Sequence, residues 1–292
     1  MAEARIPVDL FNPGQVFACL GLMEAAEVLL GNAEGAFDWR DTSRPAFILR
    51  ATGEQNPMKA ILDFLKGAKI HRILPQIPED HKDEKLRRMV EKSNVIFTHY
   101  YNSYKIERMF LPVCLSNNGT NITIDHWSDK SHECNMRMYS GNRDAYKIIN
   151  DMIFGSEKQN GIIHLYEKFS NEAIDNPFNV IIAPLGGTFN FDVRGTWQAI
   201  DLGYSPDQQK QKIVSSPLVE IMAALGLQNT RPNRKSIDTE YYIYYGVWRK
   251  QLPPSLARAA LACCKNIAER IFACEEGKSG KNTILSFAKE ET

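Results

Sequence analysis

The stretch Asn12-Pro13-Gly14-Gln15, followed by VFACLGLMEAAEVLLG, constrains the fold more than any other. Asn is a favoured N-cap, Pro suits the first helical position, and Gln15 stands where a capping box places its reciprocal side chain. The run continues to a stop at Gly31 and is apolar almost all round. A helix without a polar face must be buried on every side, so the remaining chain has to wrap around it. Gly21 in its middle costs about 1 kcal/mol relative to Ala, which points to close packing against another backbone. Glu24 and Glu27 are either a catalytic carboxylate pair or the single solvated edge of this helix; the apolar surroundings favour the edge.

A chain of 292 residues, 43% hydrophobic and 24% charged, has enough material for a full core, in one domain or two. The N-terminus MAEARIPVDL lacks a basic segment followed by an apolar run, so no secretory signal is expected. Six cysteines without a Cys-x-x-Cys pair predict neither a disulfide scaffold nor a zinc ribbon, and a reducing cytoplasm fits them. Cys263-Cys264 read as core. The formal net charge is zero, which excludes a histone-like, charge-driven binder. Between Ser205 and Arg270, however, ten Lys/Arg face five Asp/Glu, leaving room for a localised basic patch.

Pro45 to Ala51 reads as a strand and Pro57 to Lys66 as a short helix. Ile77 to Lys92 carries opposite charges at helical spacing and reads as a solvated helix. Met109 to Leu115 and Thr120 to Asp125, flanking Ser116-Asn117-Asn118-Gly119, form the clearest hairpin. Arg143 to Phe154 and Gly161 to Ala173 read as helices, and Asn179 to Pro184 as a buried strand. Ser216 to Leu225 repeats the character of the first helix, and the pair Pro13 to Leu22 and Pro217 to Leu227 has the look of an old duplication. Thr239 to Trp248 is an aromatic-rich strand, Pro254 to Ala273 a long helix, and the tail from Glu275 polar and mobile. Strands and helices mingle without βαβ alternation. The predicted class is α+β: a mixed sheet with hairpins packed on buried helices, and a helical C-terminal part. A soft boundary near Gly203 to Lys212 divides residues 1–204 from 205–292, unless the whole is one domain.

Thr123 to Lys147 is the most polar landmark. A loop leaves the hairpin and delivers Ser140-Gly141-Asn142 to the start of a helix, with Lys130, Arg137, Arg143 and Lys147 around it. Free N–H groups and the helix dipole suit such a place to an anion, although an ordinary helix cap accounts for the same residues. Recognised nucleotide loops, nucleophile elbows and zinc-protease motifs are absent. Asp125, His126, Asp129, His132 and Cys134 have the chemistry of metal ligands but the spacing of no closed site. The remaining signals concern binding. Arg231-Pro-Asn-Arg234-Lys235 is a basic loop after a helix, with Lys210 and Lys212 before it. Trp127, Trp197, Tyr241 to Tyr245 and Trp248 are stacking faces or core aromatics.

Five stretches occur in a telling order: FNPGQVFACLGLMEAAEVLLGNAEGAF, IDHW…MRMYSGNRDAYKII, FNFDVRGTWQAIDLGYSPD, SPLVEIMAALGLQNTRP and LPPSLARAA. Together they resemble the compact large subunit of type I-U (also called I-G) CRISPR interference complexes, from about Val8 to Ala260. The resemblance implies a non-enzymatic subunit without cofactor. Its partners would be crRNA, target double-stranded DNA, the backbone and crRNA-end subunits, and a helicase–nuclease recruited on target binding; no membrane is involved. Such a subunit reads the protospacer-adjacent motif and helps strand separation, while guide pairing reads the sequence. By that resemblance Lys130, Arg137, Ser140, Gly141, Asn142, Arg143 and Lys147 contact motif DNA. Asn142 has the geometry for adenine and Arg143 for guanine. Arg194, Lys210, Lys212, Arg231, Arg234 and Lys235 would touch nucleic-acid backbone. The family pattern has a second tryptophan after Asp and a glutamine after Gly where this chain has His126-Trp127 and Asn142-Arg143. An enzymatic alternative is a metal-dependent nuclease using Asp125, Asp129 and His132.

Overall fold

A computed structural model of the chain describes residues 1–75, 84–98, 113–124, 136, 138, 139, 144–157, 159–195, 213–279 and 282–291. At its centre lies α1 (Pro13–Leu30), in which every residue from Pro13 to Ala26 is buried. Its length and hydropathy would also suit a membrane, but its flanks are covered by the protein's own elements. The Asn12 side chain accepts from the Gln15 N–H at 3.4 Å. Gln15 does not return the bond to the cap; its side-chain oxygen reaches further back to the Asp9 N–H at 2.8 Å and pins the entering chain.

The partner of α1 is α7 (Pro217–Gly226), buried along its whole length and capped by Ser216. A Cβ on Gly21 would overlap the Met222 carbonyl oxygen, and one on Gly226 would overlap the Phe17 carbonyl. The two helix backbones touch at these glycines, as the mid-helix Gly predicts. Both N-caps also bind one carboxylate: Asn12 Nδ2 donates to Asp192 Oδ1 at 3.0 Å and the Ser216 N–H to Asp192 Oδ2 at 2.8 Å. The helices therefore run in the same direction, and the two similar segments form the paired axis of the fold.

Three sheets surround this axis among the described residues. The first is antiparallel, in the order β1 (Ala2–Pro7), β3 (Ala46–Ala51), β2 (Glu34–Asp38). The second, mixed, runs β5 (Val95–Thr98), β4 (Lys69–Pro75), β6 (Val113–Asn117), β7 (Thr120–Ile124), with β4 and β5 parallel. The expected hairpin is present: Asn118 and Gly119 both adopt positive φ, the two-residue turn that matches strand twist. The third runs β11 (Asn282–Leu285), β10 (Arg270–Ser279), β9 (Glu240–Val247), β8 (Asn233–Ile237), and β12 (Lys289–Glu290) adds to β10. Helices α2 (Pro57–Lys66), α4 (Ala145–Phe154) and α5 (Ile162–Asp175) fill the space around α1, and α3 (Glu84–Glu91) keeps the expected mixed-charge character. Residues 77–83 and 109–112 of the predicted elements lie outside the described ones. The class is α+β. One continuous core holds residues from Ala4 to Ala288, on both sides of the soft boundary.

Five expectations are corrected. The C-terminal part is mainly sheet. The helix from Pro254 ends at Leu261 (α8), Cys263 takes positive φ, and Arg270 onward pairs with β9 from Arg270↔Val247 to Glu276↔Tyr241. A strand partner with aromatic side chains outweighs the local helical preference of the alanines. The same pairing orders the tail: β11 folds back on β10, and the Ala288 N–H reaches the Phe11 carbonyl at 2.8 Å. Cys264 is exposed in the turn after α8 rather than core. Asn179 to Pro184 opens in a short helix, α6 (Pro177–Val180), and only Ala183 forms a bridge, with Ser215. Glu24 is not a solvated edge: the residue is 9% exposed, and its carboxylate takes Arg258 of α8 through two bonds of 2.6 and 2.7 Å. Glu27 is exposed and accepts the Ala33 N–H at 2.6 Å, tying down the turn after α1.

Candidate nucleic-acid interface

Helix α4 begins two residues later than Ser140-Gly141-Asn142 would place it. Its cap is Asp144, whose carboxylate accepts the Tyr146 N–H at 3.1 Å. The same carboxylate receives both terminal nitrogens of Arg72 at 2.8 and 2.5 Å, and the Arg72 guanidinium lies 4.7 Å from the Tyr146 ring centroid. The protein thus supplies its own anion to this helix N-terminus and neutralises it from β4. Asp is both a good N-cap and the right charge for the dipole, so the cap falls there. Lys147 lies in the first turn of the helix and is exposed. Lys130, Arg137, Ser140, Gly141, Asn142 and Arg143 lie outside the described residues, as do Asp125, His126, Trp127, Asp129, His132 and Cys134. Of the residues shortly before α4, the described Met136, Met138 and Tyr139 are buried, and the Met138 carbonyl accepts from Thr283 at 2.8 Å and Asn190 at 3.1 Å. Tyr139 packs on Phe189 at 5.3 Å.

The basic residues after Val193 divide by their partners. Arg194 turns inward. It grips Asp192 through Nε at 2.9 Å and Nη2 at 2.7 Å, and donates to the Phe178 carbonyl at 2.9 Å and Asn179 at 3.0 Å. Its donors serve the core, and its placement is structural rather than one for holding a phosphate. Arg231 donates to the carbonyls of Leu227 and Thr230 and so closes the end of α7. Lys210, Lys212 and Trp197 lie outside the described residues.

Arg234 and Lys235 sit on β8, the edge of the third sheet. Strand alternation sends them to opposite faces. On one face Arg234 pairs with Glu276 at 2.8 Å and lies 3.7 Å from the Tyr241 ring centroid. On the other, exposed Lys235 stands 4.3 Å from the Tyr244 ring, and the Tyr242 hydroxyl donates to Glu240 at 2.7 Å. Tyr245 and Trp248 are core: the first donates to the Leu10 carbonyl, the second to that of Gly35. The β8–β9 ribbon is therefore an aromatic platform with one cation on each face, and Glu276 cancels one of them. Such a ribbon can stack a base and touch a phosphate; it does not form a strongly charged rail.

A second carboxylate stands beside Asp192. Glu220, wholly buried in the first turn of α7, accepts N–H groups from Phe189 at 2.9 Å, Phe191 at 3.2 Å and Asp192 at 3.0 Å. Burial, with Asp192 nearby, outweighs these bonds and pushes its carboxyl from 4.5 up to about 7. Between those values the folded protein holds a proton that the unfolded chain releases. Stability is therefore full below about pH 4.5 and falls as pH rises towards about 7, by up to about 1.4 kcal/mol per unit. Urea unfolding from pH 4.5 to 7.5 should show this decline in the wild type and a flatter profile in Glu220→Gln. Sequence reading missed this knot. Its signal is that the helix starts Asn12-Pro13 and Ser216-Pro217 share a pattern while FNFDVR supplies one well-placed acid. Among the described residues, no three His, Cys, Asp or Glu side chains converge on a point suited to a metal ion.

No protein-family model matches this chain, and neither does any curated protein or solved structure.

Proposed function

We propose that this chain is the compact, non-catalytic large subunit of a crRNA-guided type I CRISPR interference complex, acting in the cytoplasm in antiviral defence. In this role it reads the protospacer-adjacent motif on target duplex DNA, helps open the strands and helps recruit the helicase–nuclease. The observation that carries the reading is the ordered run of five segments that resembles that family. Three contacts join those segments in the fold: Asn12 with Asp192, Asp192 with Ser216, and Glu24 with Arg258. Sequence recognition by guide pairing leaves the protein only the short motif and backbone shape to read.

The test replaces Arg137, Asn142 and Arg143 by Ala in the assembled complex. Assembly should persist while target-duplex affinity falls at least tenfold, each lost base contact being worth roughly 1–3 kcal/mol. Unchanged affinity across a salt titration removes these residues from the motif site. Metal-dependent cutting by the purified chain, abolished by Asp125→Asn, would instead establish a nuclease.

A further inference from the structure

The outer face of the β1–β3–β2 sheet carries an open groove of about 400 Å³. Strand alternation builds it. Ala4, Ile6, Phe47 and Leu49 turn to the core, which sends Glu3, Arg5 and Arg50 outward; Glu3 lies opposite Arg50 and Arg5 opposite Ile48, with Asp38 further along the same face on the far strand. The far wall is the segment after β9, held against β2 by the Gly35–Leu252 bridge and by the Phe37 N–H on the Trp248 carbonyl; it contributes Arg249.

Four guanidinium groups and two carboxylates line the groove. Asp38 alone holds two of the arginines, Arg5 at 2.9 Å and Arg40 through two bonds of 2.9 Å, so that corner keeps a net positive charge. Arg50 pairs with Glu3, and Arg249 with Glu269 behind the wall. These pairs fix the forks in place while the side chains remain 44–85% exposed. A guanidinium has five N–H donors, and each pair uses only one or two of them. Beside the groove, Arg249 and Arg270 lie 5.5 and 5.4 Å from the Trp39 ring centroid.

Preorganised, exposed arginine forks in an open channel match a repeating anion better than a single ion, and planar forks match phosphate. We infer that this groove is a track for the phosphodiester backbone of single-stranded nucleic acid. The inference deepens the proposed function and rests on it for which strand is held, guide RNA or displaced DNA.

The experiment uses the purified full-length chain and fluorescein-labelled single-stranded DNA and RNA 20-mers, read by fluorescence anisotropy at several salt concentrations. Arg40→Gln/Arg249→Gln should weaken strand binding at least tenfold. It should also reduce the slope of log K against log salt by about 1.4, two contacts at about 0.7 each. Circular dichroism melting checks the fold, and Arg40→Gln alone, at the most exposed arginine, should give a several-fold loss with half the slope change. Affinity and slope unchanged in both variants would overturn the inference, as would failure of the wild type to bind either strand. Tighter binding of a polyglutamate peptide than of the oligonucleotides would overturn it in favour of an acidic protein partner. Motif recognition by the assembled complex is measured separately on duplex DNA, so the groove and the functional reading fail independently.

Discussion

Replacing Asp192 by Ala should destabilise the protein by about 3–5 kcal/mol, the cost typical of removing one partner from a buried ion pair. The Asp192 carboxylate is fully buried and accepts from five groups: Asn12 before α1, Ser216 before α7, and the backbone N–H and two side-chain nitrogens of Arg194. Its loss strands a largely buried guanidinium and leaves two helix starts without their shared acceptor. Asp192→Asn retains one acceptor oxygen but no charge and should fall in between. Urea unfolding at fixed m-value measures both. Adding Arg194→Met to Asp192→Ala should recover part of the loss, because the orphaned charge goes with the arginine.

Gly21→Ala should reverse its usual sign. In an exposed helix the change gains about 1 kcal/mol. Here the added methyl overlaps the Met222 carbonyl oxygen, a backbone atom that moves only if α7 moves. Forcing apart the buried lengths of two helices opens voids along the axis of the core, and a loss of about 3 kcal/mol is expected. Gly226→Ala, against the Phe17 carbonyl, should behave alike. Melting temperatures of the two single variants measure the loss, and values at or above the wild type would rule out the backbone contact.

The local rules written in the chain were enough for several elements. Asn12-Pro13, Ser216-Pro217 and Asn118-Gly119 each fix a backbone conformation within a few residues, and all three stand where expected. Where a partner from far along the chain decides the outcome, sequence reading fails. Alanine-rich residues after Pro254 favour helix, yet β9 captures the segment from Arg270. The anion for α4 arrives as Asp144 with its counter-charge on Arg72 of β4, more than seventy residues earlier in the chain. The basic residues were visible, but their partners were not. Arg194 is spent on Asp192 and Arg234 on Glu276, leaving Lys235 on the ribbon as the exposed one. Conversely, Arg5, Arg40, Arg50 and Arg249 share no local pattern, and only strand register and the return of the chain after β9 bring them together.

The most direct test of the proposed role is to tag this chain, express it with the genes that surround its own, and analyse what co-purifies. The account predicts a stoichiometric assembly of several proteins carrying a discrete crRNA, with motif-dependent duplex binding that disappears when this chain is omitted. A chain that purifies alone and free of RNA, or an assembly that binds target DNA equally well without it, would contradict the account.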